Sequence, residues 1–324
     1  MAETQTNNQK IWDVIMIGAG PAALSAAIYT TREDISTLLL DKGPVGGLAA
    51  VTDWIDNYPG FPKGVAGLEL SDLFQKQAER FGAVFDFAEI KEVMDEGKLK
   101  RLKTDNGDFM AKTVLIATGS DYKKIGVPGE QEYYARGVHY CATCDGAFYR
   151  DKRLVVIGGG NSAVQEALFL TRYASHIDML VRSTIKASDV LQQELKKNPK
   201  ITVHLGVTTD EIIGDKPVKD GGKVLKVVGT DTASGKKVEF STDGVFVFVG
   251  LAPNTGFLKG KVELDEIGLI KTDTMLQTNI PGVFVAGDVR SGATMQIASA
   301  SGEGATAALM IRHYLENLER EKPS

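Results

Sequence analysis

The chain has 324 residues, 43% hydrophobic and 24% charged, ordinary proportions for a globular protein with an ample core. Its 37 basic and 42 acidic residues leave a formal net charge of −5, with no basic run, which argues against nucleic acid as a partner. No stretch approaches the roughly 20 apolar residues of a membrane span, and residues 1–10 are polar with no apolar signal core, so a cytoplasmic chain of two domains, or one interrupted by another, is expected.

The first apolar run, Ile11-Trp12-Asp13-Val14-Ile15-Met16-Ile17, reads as a short strand. It enters Gly18-Ala19-Gly20-Pro21-Ala22-Ala23, then a helical pattern from Leu24, then Thr37-Leu38-Leu39-Leu40 closed by Asp41. Strand, glycine turn, helix, strand and acid in that order form a dinucleotide fingerprint. Gly18 permits the tight turn and Gly20 lets a pyrophosphate approach the backbone. Ala23 keeps helix and strand close, the helix N-terminus faces the phosphates, and Asp41 is placed to accept from a ribose hydroxyl.

Further on, Gly126-Val127-Pro128-Gly129-Glu130 reads as a turn-rich crossing between two units. Next comes Cys141-Ala142-Thr143-Cys144, the only two cysteines in the chain. Two intervening residues let the sulfurs meet across one turn, so a disulfide there opens and closes without refolding. A helix start lowers a thiol pKa, and the thiolate is the attacking species. Zinc would need further ligands, but no other Cys exists, and His139, His176, His204 and His313 form no close pair. A reducing cytosol disfavours an inert structural disulfide.

The fingerprint then repeats. Residues 153–157 read as a strand, Gly158, Gly160 and Ala163 take the special positions, and residues 164–173 and 177–181 read as helix and strand. Asn161 and Ser162 complete this second nucleotide-binding segment. Two fingerprints about 140 residues apart mean two nucleotide units, one for a nicotinamide donor and one for a flavin. The second repeat ends in Val181-Arg182-Ser183 rather than an acid, so Arg182 and Lys186 favour the 2′-phosphate of NADPH. A redox cysteine pair feeding into such a loop points to a thiol–disulfide enzyme drawing electrons from a dinucleotide.

Residues 219–223 read as a surface turn, with antiparallel strands at 223–229 and 236–241. Two more apolar blocks, 244–250 and 282–288, follow, the second ending Ala286-Gly287-Asp288, where a carboxylate can meet a flavin ribityl hydroxyl. A closing helix rich in small residues is expected from Gly302.

Taken together, these residues resemble the low-molecular-weight bacterial thioredoxin reductase family of flavin-dependent disulfide reductases, from Asp13 to about Leu315. The most specific piece is His139-Tyr140-Cys141-Ala142-Thr143-Cys144-Asp145-Gly146, supported by Asp56-Asn57-Tyr58-Pro59-Gly60, Ala117-Thr118-Gly119 and Gln296-Ile297-Ala298. The resemblance implies an α/β fold of two Rossmann-like, three-layer ββα domains. The FAD domain would be discontinuous, residues 1–122 and 249–324, with an NAD(P)H domain at 123–248 that carries the cysteine pair. By the same resemblance Cys144 lies nearer the flavin, Cys141 attacks the thioredoxin disulfide, and Asp145 donates a proton in the exchange. FAD contacts fall on Gly18, Gly20, Pro21, Ala22, Asp41, Gly47, Asn57, Ala117, Thr118, Gly119, Gly287, Asp288, Gln296 and Ile297. NAD(P)H contacts fall on Gly158, Gly160, Asn161, Ser162, Ala163, Arg182 and Lys186. A homodimer is implied, with one domain rotating against the other so that nicotinamide and disulfide take turns at the flavin.

Three positions depart from the family pattern. Ser183 stands where an Arg is common and Lys186 where another is, and Lys lacks the bidentate fork, so NADH remains possible. Ala147 replaces the first of two aromatics that grip thioredoxin, while Phe148 remains. Met295 precedes Gln296 where an Arg is usual. Alternatives therefore stay open: a flavin disulfide reductase for another small redox protein, one fed by reduced ferredoxin or a deazaflavin, a thiol oxidase, or a non-catalytic flavin redox sensor.

Overall fold

The computed structural model describes residues 10–52, 54–258 and 260–320. The chain divides into two compact units, one built from both ends of the chain up to Asp121 and from Ala252 on, the other from Tyr122–Leu251.

The first unit begins β1 (Ile11–Ile17), α1 (Pro21–Thr31), β2 (Thr37–Asp41), α2 (Gly47–Ala50), α3 (Gly67–Arg80), β3 (Val84–Phe87), β4 (Ile90–Glu96), β5 (Leu99–Thr104) and β6 (Gly107–Ile116). The strands lie in the order β3-β2-β1-β6-β5-β4, parallel from β3 to β6 and antiparallel beyond. Val14, Met16, Leu39 and Leu115 pack on the α1 side, whereas Ile15, Ile17, Leu38, Leu40 and Val114 enter a separate core. Burial on both faces explains why these strands read as unbroken apolar runs rather than alternating ones. Helix α3 ends at Arg80, and Gly82 just beyond it adopts φ +97°, a left-handed stop that costs glycine nothing.

The second unit follows β7 (Ser120–Tyr122). It comprises β8 (Val138–His139), α4 (Ala142–Asp145), β9 (Arg153–Ile157), α5 (Asn161–Leu170), β10 (His176–Val181), α6 (Asp189–Lys197), β11 (Ile201–Leu205), β12 (Val207–Gly214), β13 (Val224–Asp231), β14 (Lys237–Ser241) and β15 (Gly244–Val247). A parallel sheet β11-β10-β9-β15-β8 is sandwiched between helices and the antiparallel meander β12-β13-β14. Leu154 and Val156 meet Ala163, Val164 and Ala167 of α5, while Val155 and Ile157 meet Val207, Ile212 and Val227 of the meander.

After β16 (Leu251–Pro253) the chain returns to the first unit with β17 (Val283–Val285) and α7 (Ile297–Arg320). Strand β17 runs parallel to the last three residues of β6. Among the described residues, no helix is long and apolar enough to cross a membrane.

Three expectations need correction. The turn at 126–130 is not a crossing: it lies inside the second unit, where Glu130 accepts from Ile125 N (2.9 Å) and Gly126 N (2.7 Å) and Gly129 abuts Ile212. The second crossing falls at 251/252 rather than 248/249, because Gly250 O still accepts from Lys123 N (3.0 Å). The closing helix starts at Ile297, five residues before Gly302, and Gly304 inside it serves packing: a Cβ there would run into the carbonyl of Ala22.

Candidate functional site

The first glycine loop joins β1 to α1. Gly18 has φ +97°, and a Cβ there would stand 2.5 Å from Ala117 O, so the loop lies directly on the end of β6. Gly20 caps α1 with extended backbone (φ −81°, ψ −177°), Pro21 occupies the first turn, and no side chain caps the helix. Nothing stands within 4 Å of a Cβ at Gly20, and Gly47 faces it across the loop, its own Cβ position 3.6 Å from the Gly20 Cα. Open space before uncapped N–H groups is what a pyrophosphate requires. Asp41 also acts locally: Oδ2 accepts from Ala19 N (2.7 Å) and Oδ1 from Gly43 N (2.9 Å), which leaves acceptor capacity for a hydroxyl.

The other residues expected to meet a flavin are held by contacts between distant parts of the first unit. Asn57 Nδ2 donates to Gln296 Oε1 (3.0 Å) across 239 residues of sequence. Tyr58, edge-on to Phe74, anchors the Asn57 segment, and Ile297 packs against the same Ile55–Val65–Leu70 cluster. Gln296 Nε2 donates to the carbonyl of Met295, which sits at φ +55°. Asn254 clasps the end of β6: its Nδ2 donates to Thr118 O (3.0 Å), its backbone N to Gly119 O (3.1 Å), and its carbonyl accepts from Thr118 Oγ1 (2.9 Å). Gly287, at φ +78°, lies against Ala22, which brings Asp288 to the start of α1. Glu303 holds this turn by accepting from Gly287 N (2.8 Å) and pairing with Arg290. Burial, with the nearby Glu303 charge adding to it, pushes the Asp288 carboxyl up to about 6.

The cysteines sit in the second unit. Cys141 and Cys144 form a disulfide with Cα atoms 5.4 Å apart. Cys141 caps α4, and its sulfur accepts from Cys144 N (3.1 Å). The same N–H would stabilise a Cys141 thiolate. Asp145 Oδ2 lies 3.2 Å from His139 Nδ1, and His139 Nε2 lies 2.7 Å from the Tyr149 hydroxyl. Phe148 is 52% exposed beside the pair.

The second glycine loop rebuilds the first. Gly158 has φ +144° and abuts Phe248 O, and Gly160 caps α5 with φ −88°, ψ −179° and no side-chain cap. Asn161 Oδ1 accepts from Ser188 N (2.8 Å), Ser162 is exposed, and Ala163 is fully buried against the Gly158 turn. Lys186 N donates to Gly159 O (2.7 Å), so its backbone ties the loop while its ammonium, like Arg182 and Ser183, stays exposed.

Sequence reasoning missed Asn254, Glu303, Arg290 and the contacts of His139. Only Asn254 carried a local signal, the Pro253-Asn254 turn pair after a strand.

Comparison with known proteins agrees with this geometry. The profile of the pyridine nucleotide-disulphide oxidoreductase family matches residues 12–304. Thioredoxin reductase of Bacillus subtilis (strain 168) is 42% identical over 314 residues, covering 97% of this chain and 98% of that protein. The crystal structure of thioredoxin reductase from Streptococcus pyogenes MGAS5005 superposes with a TM-score of 0.90 at 37% identity, covering 96% of this chain and all of that one. Thioredoxin reductase from Giardia duodenalis gives 0.89 at 30% identity, covering 95% of this chain and all of that one. With such relatives matched nearly end to end, and with a cysteine disulfide beside the second of two glycine cradles, this chain belongs to the thioredoxin reductase group of the pyridine nucleotide-disulphide oxidoreductase family.

Proposed function

We propose that this chain is an FAD-containing thioredoxin-disulfide reductase that takes electrons from NADPH, and less efficiently from NADH, and passes them through Cys141 and Cys144 to thioredoxin. The observation that carries the reading is a two-residue-spaced disulfide in a unit with its own glycine cradle, in a chain that builds a second such cradle.

The first cradle fits FAD, because a Cβ would fill the space that Gly20 leaves open before an uncapped helix. Gly18, Gly20, Pro21 and Ala22 would face its pyrophosphate. Asp41 and Asp288 would accept from its hydroxyls, and Asn57 and Gln296 would approach its ring. The flavin supplies the two-electron step that joins a nicotinamide hydride to a disulfide. Gly158, Gly160, Asn161, Ser162 and Ala163 would hold the nicotinamide nucleotide, with Arg182 and Lys186 toward a 2′-phosphate. Cys141, whose sulfur receives the Cys144 N–H, attacks the thioredoxin disulfide as a thiolate; Cys144 resolves the mixed disulfide, and Asp145 moves the proton. Exposed Trp54 (45%) and Leu68 (68%), with Leu48 on α2 and Val51 just after it, support a homodimer formed through this face. A weakened 2′-phosphate site, with Ser183 and Lys186 in place of guanidinium groups, motivates the alternative of a non-nicotinamide donor.

Anaerobic titration of the yellow holoenzyme with NADPH and then NADH tests the reading. NADPH should bleach the flavin. Cys141→Ser and Cys144→Ser should each retain that bleaching while losing thioredoxin reduction to below about 1%. Colourless protein that refuses FAD would overturn the reading, as would substantial thioredoxin reduction by either variant. Bleaching by neither nucleotide would select the alternative donor.

A further inference from the structure

Behind the cysteine pair lies a short polar chain, of which the thiol chemistry above uses only Asp145. His139 ends β8 and is 7% exposed, with its ring stacked on Phe246 at 5.2 Å. Its two nitrogens point at different partners. Nδ1 meets Asp145 Oδ2 at 3.2 Å, and Nε2 meets the Tyr149 hydroxyl at 2.7 Å. The Tyr149 ring is itself wedged against Gly244, where a Cβ would collide with it, and it stands edge-on to Phe246. Burial, with the charges of Asp145 and Asp243 adding to it, raises the Tyr149 pKa, which keeps the hydroxyl protonated. The groups facing the imidazole are therefore Asp145 from α4, Tyr149 from the 146–149 turn and the apolar Phe246 from β15, with Asp243 acting on Tyr149.

The arrangement satisfies His139 in two protonation states. When the ring is neutral, the Tyr149 O–H donates to Nε2 and Nδ1–H donates to Asp145. When it is an imidazolium, both ring N–H groups donate, because a phenol oxygen also accepts. A buried histidine whose partners suit both forms can gain and lose a proton without rearrangement.

Resting on the reading of Asp145 as proton donor, we propose that His139, braced by Tyr149, is a positioning residue that keeps Asp145 supplied with the proton it gives to departing thiolates. The pair therefore matters most for disulfides whose leaving thiolates are strongly basic. An isolated carboxyl in water is protonated in roughly one molecule in a thousand at pH 7, an imidazole in roughly one in four. The contact between His139 Nδ1 and Asp145 Oδ2 gives a proton a direct path from imidazole to carboxylate.

The exchange balances internally. The Asp145–His139 unit takes the Cys141 proton, and the resulting thiolate attacks the partner disulfide. One partner sulfur leaves as a thiolate and receives that proton, and a Cys141–partner disulfide remains. The unit then takes the Cys144 proton as Cys144 attacks the Cys141 sulfur. The mixed disulfide breaks, the Cys141–Cys144 bond forms, and the second partner sulfur leaves and receives the proton. Two electrons and two protons have moved from the enzyme dithiol to the partner, and the unit is back in its first state.

The test uses leaving groups. Holoenzyme in the dithiol form, freed of reductant and kept anaerobic, is mixed with bis(2-hydroxyethyl) disulfide, whose leaving thiolate is strongly basic, or with 5,5′-dithiobis(2-nitrobenzoate), whose leaving thiolate is weakly basic and departs without a proton. His139→Gln should slow the alkyl disulfide by about tenfold or more and the aryl disulfide by less than about twofold. Tyr149→Phe, which removes one oxygen and keeps the test open if His139→Gln does not fold, should show the same split at about threefold. Asp145→Asn should show the largest split. If the histidine and tyrosine variants slow both disulfides equally, or neither, while Asp145→Asn splits them, the relay is overturned and the role of Asp145 stands. If Asp145→Asn does not split them, the proton-donor reading falls with it.

Discussion

The two glycine cradles are near copies until each meets its second strand, and there they diverge. Gly20 and Gly160 cap their helices within a few degrees of one another, at φ −81°, ψ −177° and φ −88°, ψ −179°. Gly18 and Gly158 both take positive φ and press on a neighbouring strand's carbonyl, of Ala117 and Phe248. In the first cradle a carboxylate, Asp41, ties the loop through Ala19 N. In the second no acid is present, and the tie is the backbone of Lys186 on Gly159 O. The first unit also adds Asp288, three residues past β17, the strand that lies beside β6 as β8 lies beside β15 in the second. The difference shows that cradling a pyrophosphate is a backbone task, repeated unchanged, while recognition of the rest of the nucleotide is left to side chains at strand ends. Where a side chain ties the loop, specificity and stability are coupled; where the backbone does, they are separable.

The strongest test of this likeness is to damage each cradle in the same way. Gly18→Ala puts a Cβ 2.5 Å from Ala117 O at φ +97°, and Gly158→Ala does the same against Phe248 O at φ +144°. The first variant should emerge without flavin. The second should stay yellow while NADPH-driven bleaching slows by about a hundredfold or more. Absorbance at purification and stopped-flow bleaching decide it, and flavin loss from Gly158→Ala would break the independence of the two sites.

A smaller effect attaches to the acid that only the first cradle has. Burial and Glu303 raise the Asp288 carboxyl from 3.8 to about 6. The native chain thus binds this proton below about pH 6, whereas the unfolded chain waits until about 3.8, so stability is lost as pH rises through that window and does not return above it. Asp288→Asn should stabilise the flavin-free protein at pH 8 by about 1–3 kcal/mol, with the gain gone near pH 4, and weaken FAD by about tenfold. Denaturant melts at the two pH values read the first effect and flavin titration the second. Equal stability at pH 8 would mean that the buried charge is compensated by groups other than those named.

The smallest effect is at the uncoupled strand end. Ser183 is exposed and its side chain ties nothing in the loop, so Ser183→Arg should leave thermal stability unchanged. A restored guanidinium should raise the ratio of kcat/KM for NADPH over NADH by about tenfold. A shift in stability, or no shift in the ratio, would deny that specificity at this site is separable from the fold.

Much of the frame was legible in the residues alone. The runs from Ile11 and Arg153 are strands because their apolar stretches break at glycines, and both fingerprints open helices where the spacing put them. The start of α7 was misread because Gly302 and Gly304 resemble a helix boundary, although both lie inside the helix, where Gly304 lets α7 touch the backbone of α1. Glu303 and the His139 chain were invisible for a different reason, and the turn signal at Asn254 said nothing of its partners. Asn254 and Glu303 are defined by hydrogen bonds 136 and 16 residues away, and the His139 contacts, 6 and 10 residues away, fall on no helix or strand period. Asp41 was read as a ribose acceptor, yet its bond to Ala19 N, 22 residues away, could not have been inferred without the fold.

The long-range clasp between Ser120 and the carbonyl of Asp288 spans 168 residues, and that between Asn57 and Gln296 spans 239. On a ribosome adding about 5–20 residues per second, the partner of Ser120 appears roughly 10–30 seconds after Ser120 itself. The contiguous unit in between can close its sheet during that interval. The first unit must wait, its sheet lacking β17 and its first helix lacking the cover of α7. The order of birth is therefore the reverse of the order of the chain: the cradle encoded first is the last to be completed, and until then the residues of α1 that α7 covers lack that partner.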